Sequence, residues 1–445
     1  MDKNNKNNER QIAFLALWDI THNGGYTNIV LRRVLADSPH LNRVQKAFVT
    51  EVVSGTIRNI MLLDHIIAHH SKAPLKKIKP KILNILRMSI YQLNFMDKVP
   101  TFAVCDEAVK LTKKCGLAPL AGFVNGILRN IKPLDEIPMP SIDGEPIEHL
   151  ALKYSAQRWI VKHFVEELGI QEAVGVLEAA SKGTSNITIC VNTLKTTTQE
   201  LQKTLESEGV VVSPTSLPNV LQISKTSDIS QLDSFKAGLY HVMDFSAVMA
   251  THIASPAIKS KIIDICAAPG GKSFALAYGG HDVLSRDVHP HKIKLLDEGV
   301  ARLGLEGVAT QLACGTVFDK TLETTADLLV IDAPCSGLGT LGRKADIKLR
   351  KEEEGLEVLA QLTKEIIQSS YKYLKIGGKM LFCTCTISKA ENIDNFNWIL
   401  ENLPFKPVDF SDKLALDTAR EGYVQLLPRH FNSEGFFISL LERVK

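Results

Sequence analysis

The residues with the most chemical potential are two cysteines, Cys335 and Cys385, each preceded by an apolar run that predicts a buried strand. A thiol at the end of a strand can act as a nucleophile, a metal ligand or a redox group. The eight cysteines contain no CxxC spacing and have no cluster of histidines beside them. Zinc binding and redox chemistry are therefore disfavoured, and no metal is expected.

A third segment supplies a candidate ligand site. The stretch Asp264–Ser273 joins a predicted strand to a predicted helix through a Gly-Gly turn, with Ser273 as the expected N-cap. Such a turn directs backbone N–H groups at a ligand, but it matches neither the triphosphate-binding nor the dinucleotide-binding glycine pattern. Because the carboxyl ends of parallel strands share one crevice, Cys335 and Cys385 are expected beside this turn.

These segments carry a family resemblance. Asp264–Ser273, the run Asp332–Gly337, and Thr384–Thr386 followed by the pair Glu391-Asn392 resemble the motifs of S-adenosylmethionine-dependent RNA 5-methylcytosine methyltransferases. The whole chain resembles the RsmB/Sun/Fmu-type branch, which methylates C5 of a cytidine in 16S ribosomal RNA. The resemblance implies S-adenosyl-L-methionine as the cofactor and ribosomal RNA as the partner. It implies cofactor contacts at Cys266, Ala267, Ala268, Pro269, Gly270, Gly271, Lys272, Asp287 and Asp332.

The resemblance also implies the catalytic roles. Cys385 is expected to add to C6 of the cytosine, Cys335 to assist breakdown of the adduct, and Asp332 to contact the target ring. Addition of a thiolate activates C5, which is otherwise too weak a nucleophile to attack a sulfonium methyl group. In DNA 5-methylcytosine enzymes the nucleophile lies in a Pro-Cys motif, so Cys335 remains the alternative nucleophile. Lys272 either orients the substrate or cofactor, or is a solvated lysine at a helix start.

Several positions bear on cofactor recognition. Asp287 is expected to accept hydrogen bonds from the ribose hydroxyls, the alternative being a charge at the start of the helix that follows. The family's adenine-reading aspartate is replaced by Cys314, and a thiol is a poor acceptor. Backbone groups or Asp319 are expected to read the adenine instead. Met243 stands where the family generally has glutamine.

The elements that must position these residues form a doubly wound α/β domain, predicted over residues 241–445. Strands are predicted at Ile262–Asp264, Asp282–Ser285, Ala309–Leu312, Leu328–Ile331, Met380–Thr384 and Phe436–Leu441. Helices are predicted at Ser273–Ala277, Pro290–Leu303, Leu356–Leu374 and Glu391–Leu400.

Two further domains are predicted in front of it. Helical periodicity indicates an all-α domain over residues 1–140, and the region resembles the RNA-binding protein NusB. Residues 1–140 hold 20 Lys and Arg against 11 Asp and Glu, which gives them a formal charge of +9. The whole chain carries a net charge of +3, so the remaining residues carry −6. This asymmetry indicates an anionic partner, the alternative being an ordinary solvated face. Residues 150–240 are predicted as a small α+β, ferredoxin- or RRM-like subdomain, and the resemblance implies that it grips RNA.

Length and composition restrict the remaining possibilities. A chain of 445 residues with 45% hydrophobic residues suits two or three domains, and no apolar window has membrane length. The polar start, Met1–Arg10, lacks an apolar signal core, so a cytoplasmic protein without a membrane partner is expected, as a monomer. The basic run Arg343–Lys348 is expected to border the crevice and contact the RNA backbone.

The target base must leave its stack to enter the pocket, which favours single-stranded or melted RNA. Two alternatives stay open. One is transfer RNA as the substrate. The other is an RNA-binding assembly factor with a vestigial methyltransferase fold, against which the intact Asp332, Cys335 and Cys385 argue because binding alone requires none of them.

Overall fold

The computed structural model describes residues 8–183, 187–224, 228–414 and 416–445. Most of the polar start considered above therefore lies outside the described residues. The chain forms two compact units, one of Met1–Lys182 with Leu341–Arg350 and one of Gly183–Thr340 with Lys351–Lys445. The domain limits 1–140, 150–240 and 241–445 stay a prediction. In the structure, residues 146–182 belong to the first unit, and the small sheet belongs to the second.

The first unit is entirely helical in its described residues, as predicted. Its helices are α1 Glu9–His22, α2 Thr27–Ala36, α3 Arg43–Arg58, α4 Ile60–His70, α5 Pro80–Phe95, α6 Thr101–Lys114, α7 Ala121–Arg129, α8 Pro146–Lys153, α9 Arg158–Leu168, α10 Ile170–Lys182 and the short α16 Ile347–Arg350. Apolar side chains at helical spacing, among them Val49, Val53, Ile57, Ile82 and Leu86, form its buried core.

The segment Leu341–Arg350 corrects one part of the expectation of a basic RNA-contacting loop, while the contact of the exposed Arg343 and Lys344 stays a prediction. Lys348 is 1% exposed, and its Nζ donates a hydrogen bond to the carbonyl oxygen of Tyr154 at 2.9 Å within the helical unit. Burial lowers the pKa of Lys348 to about 8, because it penalises the charged form. The Arg350 guanidinium donates to the carbonyl oxygens of Ile20, in the last turn of α1, and of Gly24 and Gly25, just beyond α1. The contact predicted for Lys348 is therefore wrong, since its ammonium group is already committed to the protein.

The second unit contains two sheets. Its strands are β1 Ile187–Val191, β2 Val211–Pro214, β3 Val220–Ser224, β4 Tyr240–Val242, β5 Lys261–Asp264, β6 Asp282–Asp287, β7 Val308–Leu312, β8 Ala326–Asp332, β9 Leu374–Thr384, β10 Phe405–Pro407, β11 Ala419–Arg420, β12 Tyr423–Leu426 and β13 Phe436–Arg443. Its helices are α11 Thr198–Ser207, α12 Asp233–Lys236, α13 Phe245–Ala254, α14 Gly271–Ala277, α15 Pro290–Leu303, α17 Gly355–Ser370 and α18 Ile393–Asn402.

The small sheet is antiparallel, in the order β2-β3-β1-β4. The large sheet has the order β11-β12-β13-β9-β8-β5-β6-β7, with β10 on β13. Strands β5 to β9 run parallel, and β13 is antiparallel to β9. The predicted α+β subdomain and doubly wound domain are thereby confirmed. The order reverses at β5, between β6 and β8, where ligands bind in such sheets.

The predicted cap of α14 is wrong by one turn. Gly270 is the N-cap, with φ of +110°, and Ser273 lies inside the helix. The Ser273 hydroxyl donates to Asp264 Oδ2 at 2.7 Å instead of capping the helix. In the described part of the chain, no helix combines the length and apolar character that a membrane crossing requires.

Candidate active site

The two cysteines singled out from the sequence lie together. Cys335 follows β8 and Cys385 follows β9, and these neighbouring parallel strands place Asp332 opposite Cys383. The Sγ atoms of Cys335 and Cys385 are 3.3 Å apart, and both side chains are half-buried. The hydrogen bond with Cys385, together with burial, raises the pKa of the Cys335 thiol. The raised pKa favours the protonated thiol of Cys335, although the geometry allows either sulfur atom to be the donor.

A buried ion pair lies next to this cysteine pair. The Nζ atom of Lys272 is 2.6 Å from Oδ2 of Asp332 and 5.0 Å from the ring centroid of Phe436. Burial is the largest influence and lowers the pKa of Lys272, but Asp332, Cys383 and Asp264 together outweigh burial and hold this pKa above its usual value. Lys272 is thus a buried, paired cation, and the alternative of a solvated lysine is wrong. Because the Asp332 side chain remains 37% exposed, its carboxylate is still accessible to a substrate.

The Gly-rich turn connects β5 to α14 over a buried carboxylate. Asp264 is 1% exposed, and burial raises its pKa to about 7. The hydrogen bond from Ser273 lowers this pKa but does not cancel the effect of burial. Ser285 donates to Ser273 at 2.8 Å, so a chain of hydroxyls leads to Oδ2. The other oxygen, Oδ1, has no hydrogen-bond partner among the described residues. At Gly270, a Cβ atom would lie 2.2 Å from the Phe274 ring, so the turn admits only glycine there.

The residues expected near a ribose and an adenine lie at the ends of β6 and β7. Asp287 is 4% exposed, and its Oδ1 accepts a hydrogen bond from the backbone N–H of His289 at 3.0 Å. Cys314 is exposed, and its thiol is 3.1 Å from the Thr316 hydroxyl. Asp319 already accepts hydrogen bonds from the backbone N–H and the hydroxyl of Thr321.

The charges at the turn suit a cationic cofactor. Asp264 lies close enough to Asp332 and Asp287 for each of these carboxylates to raise its pKa. Lys272 and Lys292 neutralise this cluster of three acids only in part, so it is stabilised further by positive charge brought in by a ligand. The sulfonium and ammonium groups of S-adenosylmethionine carry that charge. Among the described residues, no group of three or more His, Cys, Asp or Glu could hold a metal ion.

Two contributors to the site were not assigned from the sequence. Phe436, which begins β13, packs its ring against Lys272, and Glu391 binds the turn that carries Cys335. Both residues lie in motif segments, but their contacts join parts of the chain that are distant in sequence. Only a signal for long-range pairing could have revealed them.

Comparisons with known proteins agree with this architecture. Residues 251–442 match the family model "16S rRNA methyltransferase RsmB/F", and residues 7–133 match the NusB family. The chain is 30% identical to the probable ribosomal RNA small subunit methyltransferase B of Bacillus subtilis (strain 168), covering 98% of this chain and 99% of that protein. It is 31% identical to the protein of the same name from Synechocystis sp., over the same shares of both chains.

Solved structures give the same picture. The chain superposes on the crystal structure of PH0851 over 97% of each chain, with a TM-score of 0.82 and 25% sequence identity. The structure of NSun6 from Pyrococcus horikoshii with SFG covers 64% of this chain and 98% of its own, with a TM-score of 0.57 and 18% identity. The second likeness concerns the fold alone.

Proposed function

The chain belongs to the RsmB/F family of 16S rRNA methyltransferases, which use S-adenosylmethionine, and from this premise we propose that it methylates C5 of a cytidine through a covalent cysteine adduct. The observation that carries the proposal is the 3.3 Å separation of the Cys335 and Cys385 sulfur atoms. Methylation of a ring nitrogen or a ribose hydroxyl requires no thiol. A pair of thiols suits a reaction in which one sulfur atom bonds to the substrate and must later leave it.

Cys385 is the nucleophile in this mechanism. Its thiolate adds to C6 of the cytosine, and the electron pair of the C5–C6 double bond makes C5 nucleophilic. The cofactor supplies an electrophilic methyl group, which C5 accepts. A base then removes the C5 proton, the double bond re-forms, and the Cys385 thiolate leaves as the product is released. The protonated thiol of Cys335 hydrogen-bonds to the Cys385 sulfur atom and assists this last step.

Asp332 orients the target ring. Its carboxylate accepts a hydrogen bond from the exocyclic amino group of the cytosine and contacts the ring near N3. Lys272, 2.6 Å from Oδ2, fixes the direction of that carboxylate. A carboxylate that is paired with a buried lysine and stays 37% exposed gives a preorganised acceptor, which aligns C6 with the thiolate.

The cofactor would lie along the Gly-rich turn. The residues that would hold it are Cys266, Ala267, Ala268, Pro269, Gly270, Gly271, Lys272, Asp287 and Asp332. Backbone approach at Gly270, the buried carboxylate of Asp287 and the negative charge around Asp264 support this placement. The ribosomal RNA is bound as a single-stranded or melted segment, by a protein that acts as a monomer in the cytoplasm.

Two cysteine variants test the assignment. Cys385→Ala is expected to abolish methyl transfer to 16S rRNA while cofactor binding, measured by calorimetry, stays intact. Cys335→Ala is expected to accumulate a protein–RNA adduct that survives denaturation. Swapped outcomes would make Cys335 the nucleophile. If the wild-type protein transfers labelled methyl groups to transfer RNA alone, the alternative substrate is correct. If it transfers them to no RNA, a vestigial fold is indicated.

A further inference from the structure

The pair Glu391-Asn392 lies immediately before α18 and binds both cysteine turns. Glu391 is 1% exposed. Its Oε1 accepts the backbone N–H of Ser336 at 2.7 Å, and its Oε2 accepts the Ser336 hydroxyl at 2.6 Å. Ser336 is the residue after Cys335, so one carboxylate fixes the turn that carries this thiol.

The second turn is bound in the same way. Asn392 is fully buried, its Oδ1 accepts the Thr384 hydroxyl at 2.5 Å, and its Nδ2 donates to the carbonyl oxygen of Thr386 at 3.1 Å. Thr384 and Thr386 flank Cys385. The Thr386 and Ser336 hydroxyls also lie 2.8 Å apart, which links the two turns directly.

This arrangement costs free energy that a structural role alone does not require. Burying a carboxylate carries a desolvation cost even when hydrogen bonds offset part of it, and apolar residues of similar volume serve packing at least as well. Burial raises the pKa of Glu391, and the hydrogen bonds from Ser336 and from the Thr386 side chain act against this rise, so Glu391 also contacts the turn that carries Cys385. The two bonds to one residue fix both the position and the orientation of the turn, which apolar contacts cannot do.

We propose that Glu391 and Asn392 are positioning residues that set the separation of the two catalytic sulfur atoms, and that Glu391 thereby controls release of the methylated RNA. The proposal rests on the cysteine roles proposed above. Without the Glu391 carboxylate, the Cys335 turn loses two hydrogen bonds and keeps only weaker links to the Cys385 turn, so its thiol meets Cys385 less often. Adduct formation at Cys385 continues, because Asn392 still holds the other turn, but breakdown of the adduct slows.

Two substitutions separate geometry from charge. Glu391→Ala removes both acceptors, whereas Glu391→Gln keeps one oxygen for the Ser336 N–H and offers its amide N–H group to the Ser336 hydroxyl. If position matters, Glu391→Gln retains the wild-type behaviour. Asp394→Ala is the matched control, because Asp394 is an exposed acid in the first turn of the same helix. Cofactor binding shows whether Glu391→Ala is folded. If it is not, Ser336→Ala serves as a milder second variant.

The first measurement requires no RNA. Diamide, an azo oxidant, takes two electrons and two protons from a pair of adjacent thiols and leaves a disulfide. The joined peptides of Cys335 and Cys385 are quantified by mass spectrometry over time. We expect the same cross-linking rate in the wild type, Glu391→Gln and Asp394→Ala. A rate at least 10-fold lower is expected in Glu391→Ala, with an intermediate rate in Ser336→Ala.

The second measurement follows the RNA. With 16S rRNA and S-adenosylmethionine, Glu391→Ala is expected to hold most of its bound RNA in a denaturant-resistant adduct and to release product about 100-fold more slowly, since a misplacement of about 1 Å can cost that factor. Wild-type cross-linking in Glu391→Ala overturns the proposal. If Glu391→Ala cross-links slowly but accumulates no adduct, the claim that Glu391 controls release of the methylated RNA is refuted. If the wild type forms no adduct with any RNA, the proposed function fails, and the positioning claim still stands or falls on cross-linking.

Discussion

Replacement of Asp264 by asparagine should stabilise the second unit, and it should do so more as the pH rises. The wild-type carboxyl group is buried at the end of β5, where burial raises its pKa from the ordinary 3.8 to about 7. Asparagine has nearly the same shape and keeps an oxygen for the Ser273 hydroxyl, but it never carries the charge. The substitution therefore removes the cost of ionising this group inside the protein.

The magnitude follows from the two pKa values. Between pH 3.8 and pH 7, folded Asp264 retains a proton that the unfolded chain has lost, so wild-type stability falls as the pH rises through this window. Each pKa unit corresponds to about 1.4 kcal/mol. The full cost above pH 7 is thus up to about 4 kcal/mol, and about 3 kcal/mol of it develops between pH 5 and pH 8.

Unfolding of the second unit can be followed separately. Trp398 is the tryptophan of this unit, while Trp18 and Trp159 belong to the first and can be replaced by phenylalanine in both proteins. Urea unfolding monitored by Trp398 fluorescence at pH 5 and pH 8 gives the free energy of unfolding of each protein. The advantage of the Asp264→Asn protein should grow by about 3 kcal/mol between the two pH values. An advantage that does not change with pH would refute the argument that Asp264 is protonated by burial.

Two further substitutions test the cofactor turn. Gly270→Ala should weaken binding of S-adenosylmethionine at least about 10-fold in calorimetry, because φ of +110° is strained for alanine and the new Cβ would lie 2.2 Å from Phe274. Gly280→Ala is the control, because Gly280 also has a positive φ, of +76°, but no atom lies within 4 Å of its added Cβ. This control should lose about 1 kcal/mol of stability and bind S-adenosylmethionine as the wild type does. Equal losses of binding in the two variants would contradict the steric argument. Lys272→Met should destabilise the second unit by about 2 kcal/mol in urea and slow single-turnover methyl transfer more than 10-fold, because it leaves a carboxylate unpaired. The control Lys294→Met, at an exposed lysine, should change neither the stability nor the rate of methyl transfer. If Lys272→Met also changes neither, the ion pair does not orient the carboxylate.

The local patterns were sufficient to locate the catalytic strands. Apolar runs covered on both faces predict β5, β8 and β9, and the parallel arrangement then requires their carboxyl ends to meet. The placement of Cys335 beside Cys385 follows from that rule alone. The bounds of α15, Pro290–Leu303, were also predicted correctly, because a proline and a glycine mark its ends.

Features that depend on distant partners were missed. The short strands β3, β4 and β10 to β12 were not predicted, because their residues become strands only through pairing with neighbours. The sequence left Lys272 either to orient the substrate or cofactor or to be a solvated lysine, and the choice requires Asp332 and Phe436 to be placed against it. Lys348 likewise reads as an RNA contact, because its burial depends on a carbonyl group 194 positions away in the sequence.

The most direct test of the account is to trap the sulfur–carbon bond on a 16S transcript that contains 5-fluorocytidine. Fluorine at C5 cannot leave as a cation, so the final elimination is blocked and the methylated adduct persists. Mass spectrometry of the digested complex should place the modified nucleotide on Cys385. A nucleotide on Cys335, or efficient methylation of the unsubstituted transcript without any trapped complex, would contradict the account.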